Sequence, residues 1–172
     1  MAESPGIVLS LMAVVFPLLM LLAGAWDATT MRIPNWLTAG TALGFFPLAL
    51  AAGMDGWLIG QHMAAGAALL LLGFLLFSFG YFGGGDAKLL AAAGLWLGYP
   101  AVLPLMMYTA LAGGVLAIAI GLWFMLRWHA EIWGLSRGPP VKTPNPDVPY
   151  GLALAAGALF AAQGAWWMGP WR

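Results

Sequence analysis

The stretch YFGGGDAKLLAAAGLWLGYPAVL, residues 81–103, opens on three glycines and an aspartate and turns apolar over 89–97 before Pro100. It can be read as a half-length helix ending near Gly98 or as a longer helix continued to residue 103. Which reading holds decides how many times the chain turns back on itself, so the surrounding sequence has to choose.

That sequence is 172 residues long, 63% hydrophobic and only 7% charged, where soluble domains average about 25% charged. The mean hydropathy is +0.91. The bilayer is therefore the main solvent, and we expect an all-α membrane protein. Formal net charge is zero, so no nucleic-acid partner is expected, while membrane lipid is. There are no cysteines, which removes disulfides, thiolate nucleophiles and cysteine-ligated zinc. The first residues, MAESPGIVLS, lack the basic start of a cleavable signal peptide. A retained first span and a single transmembrane domain over 1–172 are expected, with no soluble domain.

Crossing a hydrocarbon core of about 30 Å takes about 20 apolar residues. Segments 7–26, 36–52, 57–79, 104–126 and 150–167 meet this. Taking 88–103 as a further span gives a bundle of about six transmembrane helices. With both termini outside, the inner loops are 27–35, 80–87 and 127–149, and Arg32, Lys88, Arg127, Arg137 and Lys142 lie in or beside them. Only Arg172 falls outside. A five-span chain would split the basic residues between the two sides, so the positive-inside rule favours six. Trp26, Trp36, Trp57, Trp123, Trp128, Trp166 and Trp167 fall near span ends, as expected for rings that prefer the headgroup zone. Gly66, Gly73, Gly113 and Gly114 suit close helix packing.

Of the six acidic residues, Glu3, Asp55, Glu131 and Asp147 fall in tails or loops. Asp27 and Asp86 abut spans, 59 positions apart, and the six-span topology puts both at the inner face. Acids at such positions are functional candidates. Read singly, Asp86 can be a helix cap and Asp27 a solvated loop residue. Read together, two carboxylates that share a proton can have one activate water while the other donates to a carbonyl. Asp86 at a helix N-terminus and Asp27 at a helix C-terminus would make Asp86 the base. Gly83, Gly84 and Gly85 are expected to bend the chain through left-handed backbone and to let another backbone lie close.

Gly83-Gly84-Gly85-Asp86 matches the GxGD signature of intramembrane-type aspartic proteases, and GGGDAKLL resembles the form found in type IV prepilin peptidases. Asp27 followed by Arg32-Ile33-Pro34-Asn35-Trp36 is similar to that family's first aspartate and IPN element. Val148-Pro149-Tyr150-Gly151 resembles the short motif opening its last helix. The resemblance implies a prepilin substrate whose leader is cut at the cytoplasmic face of a bacterial inner membrane, with Asp27 and Asp86 catalytic and no cofactor. Lys88 also matches, as a charge near the pair or as an anchor at the headgroups. Trp36 follows Asp27 by nine positions, leaving no room for the cysteine-bearing insertion of the bifunctional members. The chain resembles the short form serving tight-adherence (Flp-type) pili, with peptidase activity and no expected methyl transfer. Preflagellin and presenilin-like proteases share GxGD.

Loop 127–149 carries Pro139, Pro140, Pro144, Pro146 and Pro149, which argue against a continuous helix. Its first part, to Leu135, is expected either to lie on the membrane surface with Trp128 and Trp133 dipping in or to start a semi-rigid linker. His62 and His129 have no ligand companions in sequence, so no metal is expected. Two readings from other classes remain: a proton-coupled transporter using boundary carboxylates, and a non-enzymatic scaffold.

Overall fold

The computed structural model describes residues 4–135 and 148–171. Glu3, Arg137, Lys142, Asp147, Arg172 and the prolines at 139, 140, 144 and 146 lie outside the described residues. Six α-helices follow in order: α1 (Ser4–Thr30), α2 (Asn35–Ala51), α3 (Gly56–Ser78), α4 (Gly84–Leu97), α5 (Val102–Ile132) and α6 (Tyr150–Ala162). Short 3-10 turns, Tyr99–Ala101 and Trp166–Trp171, follow α4 and α6. Three stretches, Gly6–Thr30, Gly56–Ser78 and Tyr99–Ile132, are long and apolar enough to cross a membrane.

The all-α bundle of six helices is as the sequence reads, but the decisive stretch resolves differently in detail. α4 has 14 residues, about 21 Å at 1.5 Å per residue, and stops at Leu97 rather than continuing to 103. Gly98 ends it in left-handed backbone, φ 75°. There a Cβ would lie 2.7 Å from the His62 ring. α4 is the buried centre of the bundle, with nearly every residue from Leu89 to Leu97 out of contact with the surroundings. It packs most closely on α3, then on α2 and α6. At Gly73 of α3 a Cβ would sit 2.9 Å from Ala87, and at Gly66 3.1 Å from the Ala91 carbonyl. These two glycines set the α3–α4 distance, as small residues do between membrane helices.

The core is aromatic at the end away from Asp86. Phe16 packs on Trp96 and Trp167 with ring centroids 5.4 and 5.7 Å apart. The Trp96 indole N–H donates to the Thr41 carbonyl at 2.7 Å. Trp167 is fully buried, contrary to the headgroup placement expected of it: the chain after α6 folds its indole back against Phe16, and its N–H reaches the Trp96 carbonyl at 3.3 Å. Trp26, Trp36, Trp57, Trp123 and Trp128 are exposed.

α5 differs too. It runs six residues past Leu126 to Ile132, so the first part of the expected inner loop continues the helix before the prolines begin. It leans on α6 and barely touches α4.

Candidate active site

Successive helices alternate direction, so the C-terminal ends of α1 and α3 meet the N-terminal ends of α2, α4 and α6. Asp27 lies in the last turn of α1. Met31, in left-handed backbone at φ 53°, closes that helix with its N–H on the Asp27 carbonyl at 2.8 Å. Pro34 (φ −69°, ψ 143°) then starts α2. The tight turn drives Ile33 inward, where it is buried. The Asp27 side chain is 4% exposed. Its Oδ2 accepts the Gly151 N–H at 2.8 Å. Pro149 precedes α6, so Asp27 satisfies one first-turn amide of a helix over 120 positions away.

Asp86 sits in the first turn of α4 and is 8% exposed. Its Oδ2 accepts the Gly83 N–H at 3.1 Å, the return bond of a capping box. Asp86 is therefore not the N-cap residue itself, which is Gly83, but bonds back from the third helical position to the N-cap amide, and that bond fixes the carboxylate in place. The two carboxyl groups are close enough to act on each other electrostatically. Asp86 sits at the N-terminus of its own helix; Asp27 sits at the C-terminus of α1 and against the N-terminus of α6. The α6 amide offsets the unfavourable end of the α1 dipole at Asp27, whereas Asp86 meets only the favourable end of α4.

Ile33 joins the pair, and sequence reading did not single it out. A Cβ on Gly85 would lie 3.0 Å from Ile33 Cβ, and a Cβ on Gly151 2.6 Å from Ile33 Cδ1 and 2.9 Å from the Asp27 carboxyl carbon. Ile33 is thus wedged between the glycine before Asp86 and the glycine that holds Asp27. Gly83, Gly84 and Gly85 do not use left-handed backbone; the turn after α3 does so at Gly80, φ 78°. Close approach is the demand at Gly85, whereas Gly84 meets only Phe77, at 3.7 Å.

Lys88 is exposed and its ammonium donates to Asn35 Oδ1 at 2.7 Å, tying α4 to the start of α2. Two positions along a helix turn the side chain about 200°, so Lys88 points away from Asp86. Arg32 is exposed on the α1–α2 turn. Tyr150 places its ring 5.5 Å from that of Phe82. His62 is remote, buried with Nδ1 2.7 Å from the Leu95 carbonyl. Among the described residues no three His, Asp or Glu side chains gather to hold a metal ion.

The family model described as "Type IV leader peptidase family" matches residues 14–118, which include Asp27, Asn35, Asp86 and Lys88. The chain belongs to the type IV leader peptidase family. A relative described as "Prepilin leader peptidase/N-methyltransferase", from Xanthomonas campestris pv. campestris, is 37% identical over 78 residues. That match covers 45% of this chain and spans about a fifth of the relative, 22%. No solved structure matches the chain. Two motifs of this type IV leader peptidase family member, distant in sequence, supply carboxylates held by backbone amides at one end of the bundle. Such a pair can hold one proton between two acids.

Proposed function

We propose that the protein is an aspartic endopeptidase that removes the leader of type IV prepilins, of the Flp type, at the cytoplasmic face of the inner membrane. The carrying observation is the convergence of Asp27 and Asp86, both buried, each fixed by a backbone N–H, with Ile33 between their glycine neighbours. One carboxylate takes a proton from a water whose oxygen attacks the scissile carbonyl carbon. The other, protonated, gives its proton to the carbonyl oxygen. Collapse of the tetrahedral intermediate breaks the C–N bond, and a proton passes to the departing amine. The pair titrates as a unit, so each acid's role is a property of the pair.

Peptidase activity alone is the reading for this chain. α1 and α2 are joined by a turn of four residues, 31–34, and the chain has no cysteine. Methyl transfer by the cysteine-bearing arrangement of the bifunctional members has no counterpart here.

The test is cleavage of a pilin precursor from the same organism in membranes, comparing wild type with Asp27→Asn and Asp86→Asn. Both variants should accumulate in the membrane and fail to cleave. Normal cleavage by either one removes that residue from the chemistry.

A further inference from the structure

Phe82 and Tyr150 are 68 positions apart, yet their rings meet with centroids 5.5 Å apart and planes tilted by 40°. Neither ring has a part in the hydrolysis proposed for Asp27 and Asp86. Each residue stands immediately before a glycine whose N–H holds one of the two carboxylates. Phe82 precedes Gly83, which donates to Asp86 Oδ2 at 3.1 Å. Tyr150 precedes Gly151, which donates to Asp27 Oδ2 at 2.8 Å.

A peptide unit is planar and holds the Cα of one residue and the N–H of the next in one rigid plane. The Phe82 Cα therefore moves with the amide that fixes Asp86, and the Tyr150 Cα with the amide that fixes Asp27. Contact between the rings ties one plane to the other. Both residues are also seated. The Tyr81 and Phe82 N–H groups donate to the Leu76 carbonyl in the last turn of α3, at 2.9 and 3.4 Å. The Tyr150 ring lies near Gly113 of α5, where an added Cβ would come to 3.7 Å from it, an ordinary contact. The start of α6 is thereby joined to the α3–α4 turn, although α3 and α6 themselves scarcely pack on each other. Tyr150 is 38% exposed, so its ring is not there to fill the core, and a ring pair is favourable beyond the area it buries.

We propose that Phe82 and Tyr150 are positioning residues whose ring contact sets the spacing of the two backbone amides and, through them, of the Asp27 and Asp86 carboxylates. The inference rests on those aspartates being the catalytic pair. Two carboxylates repel when both are ionised, and a tie between the groups that hold them keeps the pair together.

The experiment measures KM and kcat for a pilin precursor with the full chain in membranes, after checking that each variant accumulates there. The variants are Phe82→Leu, Tyr150→Leu, the double variant and Tyr150→Phe, with Asp27→Asn and Asp86→Asn in parallel. Tyr108→Leu is the control, because it breaks a different ring pair, with Phe160 at 5.8 Å, toward the opposite end of the bundle. Each single Leu variant should lower kcat about 10- to 100-fold, the scale of a misplacement of about 1 Å. KM should stay within about threefold of wild type. The double variant should be no slower than the slower single, because one substitution already breaks the contact. Tyr150→Phe keeps the ring and should keep kcat, as should Tyr108→Leu. A raised KM with unchanged kcat would make the rings substrate contacts and overturn the tie. Losses that multiply in the double variant, a Tyr150→Phe as slow as Tyr150→Leu, or equal slowing by Tyr108→Leu would also overturn it. Wild-type kcat in both Leu variants with inactive Asn variants overturns the tie and leaves the catalytic pair standing. Cleavage by the Asn variants overturns both.

Discussion

Gly151→Ala tests the geometry of the pair with a single methyl group. The added Cβ would lie 2.6 Å from Ile33 Cδ1 and 2.9 Å from the β and carboxyl carbons of Asp27. Ile33 can give way by turning its terminal methyl, but Asp27 cannot retreat without lengthening its 2.8 Å bond from the Gly151 N–H. A hydrogen bond to a charged group contributes about 1.5–3 kcal/mol. Loss of that much orientation in the transition state lowers kcat about 10- to 150-fold at about 1.4 kcal/mol per decade. Overpacking adds about 1–3 kcal/mol of destabilisation, seen as a lower unfolding temperature in detergent. Gly40→Ala, on α2 with nothing within 4 Å of the new methyl, controls for the substitution itself. Precursor cleavage is followed as a time course at saturating substrate, beside thermal unfolding of both variants. A Gly151→Ala protein with wild-type kcat would refute the view that this amide positions Asp27.

Lys88→Met removes the 2.7 Å bond to Asn35 but leaves the Asp86 face of α4 untouched. kcat should fall less than about tenfold, and stability should change by about 0.5 kcal/mol; a loss as complete as that of Asp86→Asn would put the ammonium in the chemistry. Trp96→Phe leaves the Thr41 carbonyl without its 2.7 Å indole donor and opens space beside Phe16. It should lower unfolding stability by about 1–3 kcal/mol with kcat near wild type, and a variant as stable as wild type would contradict this. Gly73→Leu drives a side chain into Ala87, whose atoms lie 2.9 Å from the first added carbon. Because Ala87 follows Asp86, stability and cleavage should fall together; an active, stable variant would show that α3 does not set the position of α4.

The alternation of the helices was legible because each span is bounded by charge, tryptophan or proline. Asp27 and Asp86 were legible because an acid beside an apolar run needs a reason. Three details were not. The end of α4 at Leu97 depends on His62, which fills the space a Cβ on Gly98 would need. That contact joins residues 36 positions apart and leaves no local periodicity. The inward turn of Trp167 depends on finding both Phe16 and the Trp96 carbonyl, whereas tryptophan near a span end ordinarily favours the headgroups. The role of Ile33 needs Gly85 and Gly151 at once, and neither glycine points to the other in sequence.

The same limit explains why dipole reasoning from sequence saw only one of the two helix ends that meet Asp27. From α1 alone, Asp27 is a carboxylate at the negative end of a helix, an unfavourable place for charge. In the bundle, the Gly151 N–H in the first turn of α6 reaches Asp27 at 2.8 Å. Asp86 receives the equivalent bond from Gly83 at 3.1 Å. Each acid is thus held at a helix N-terminus by an amide of a glycine, one supplied by its own helix and one by another. Two carboxylates brought close would separate by repulsion if their backbones were free to move. Here they are held by amides in helices whose spacing is set by Gly73, Gly85 and Gly151. On the proposed mechanism, relief comes from sharing a proton rather than from moving apart.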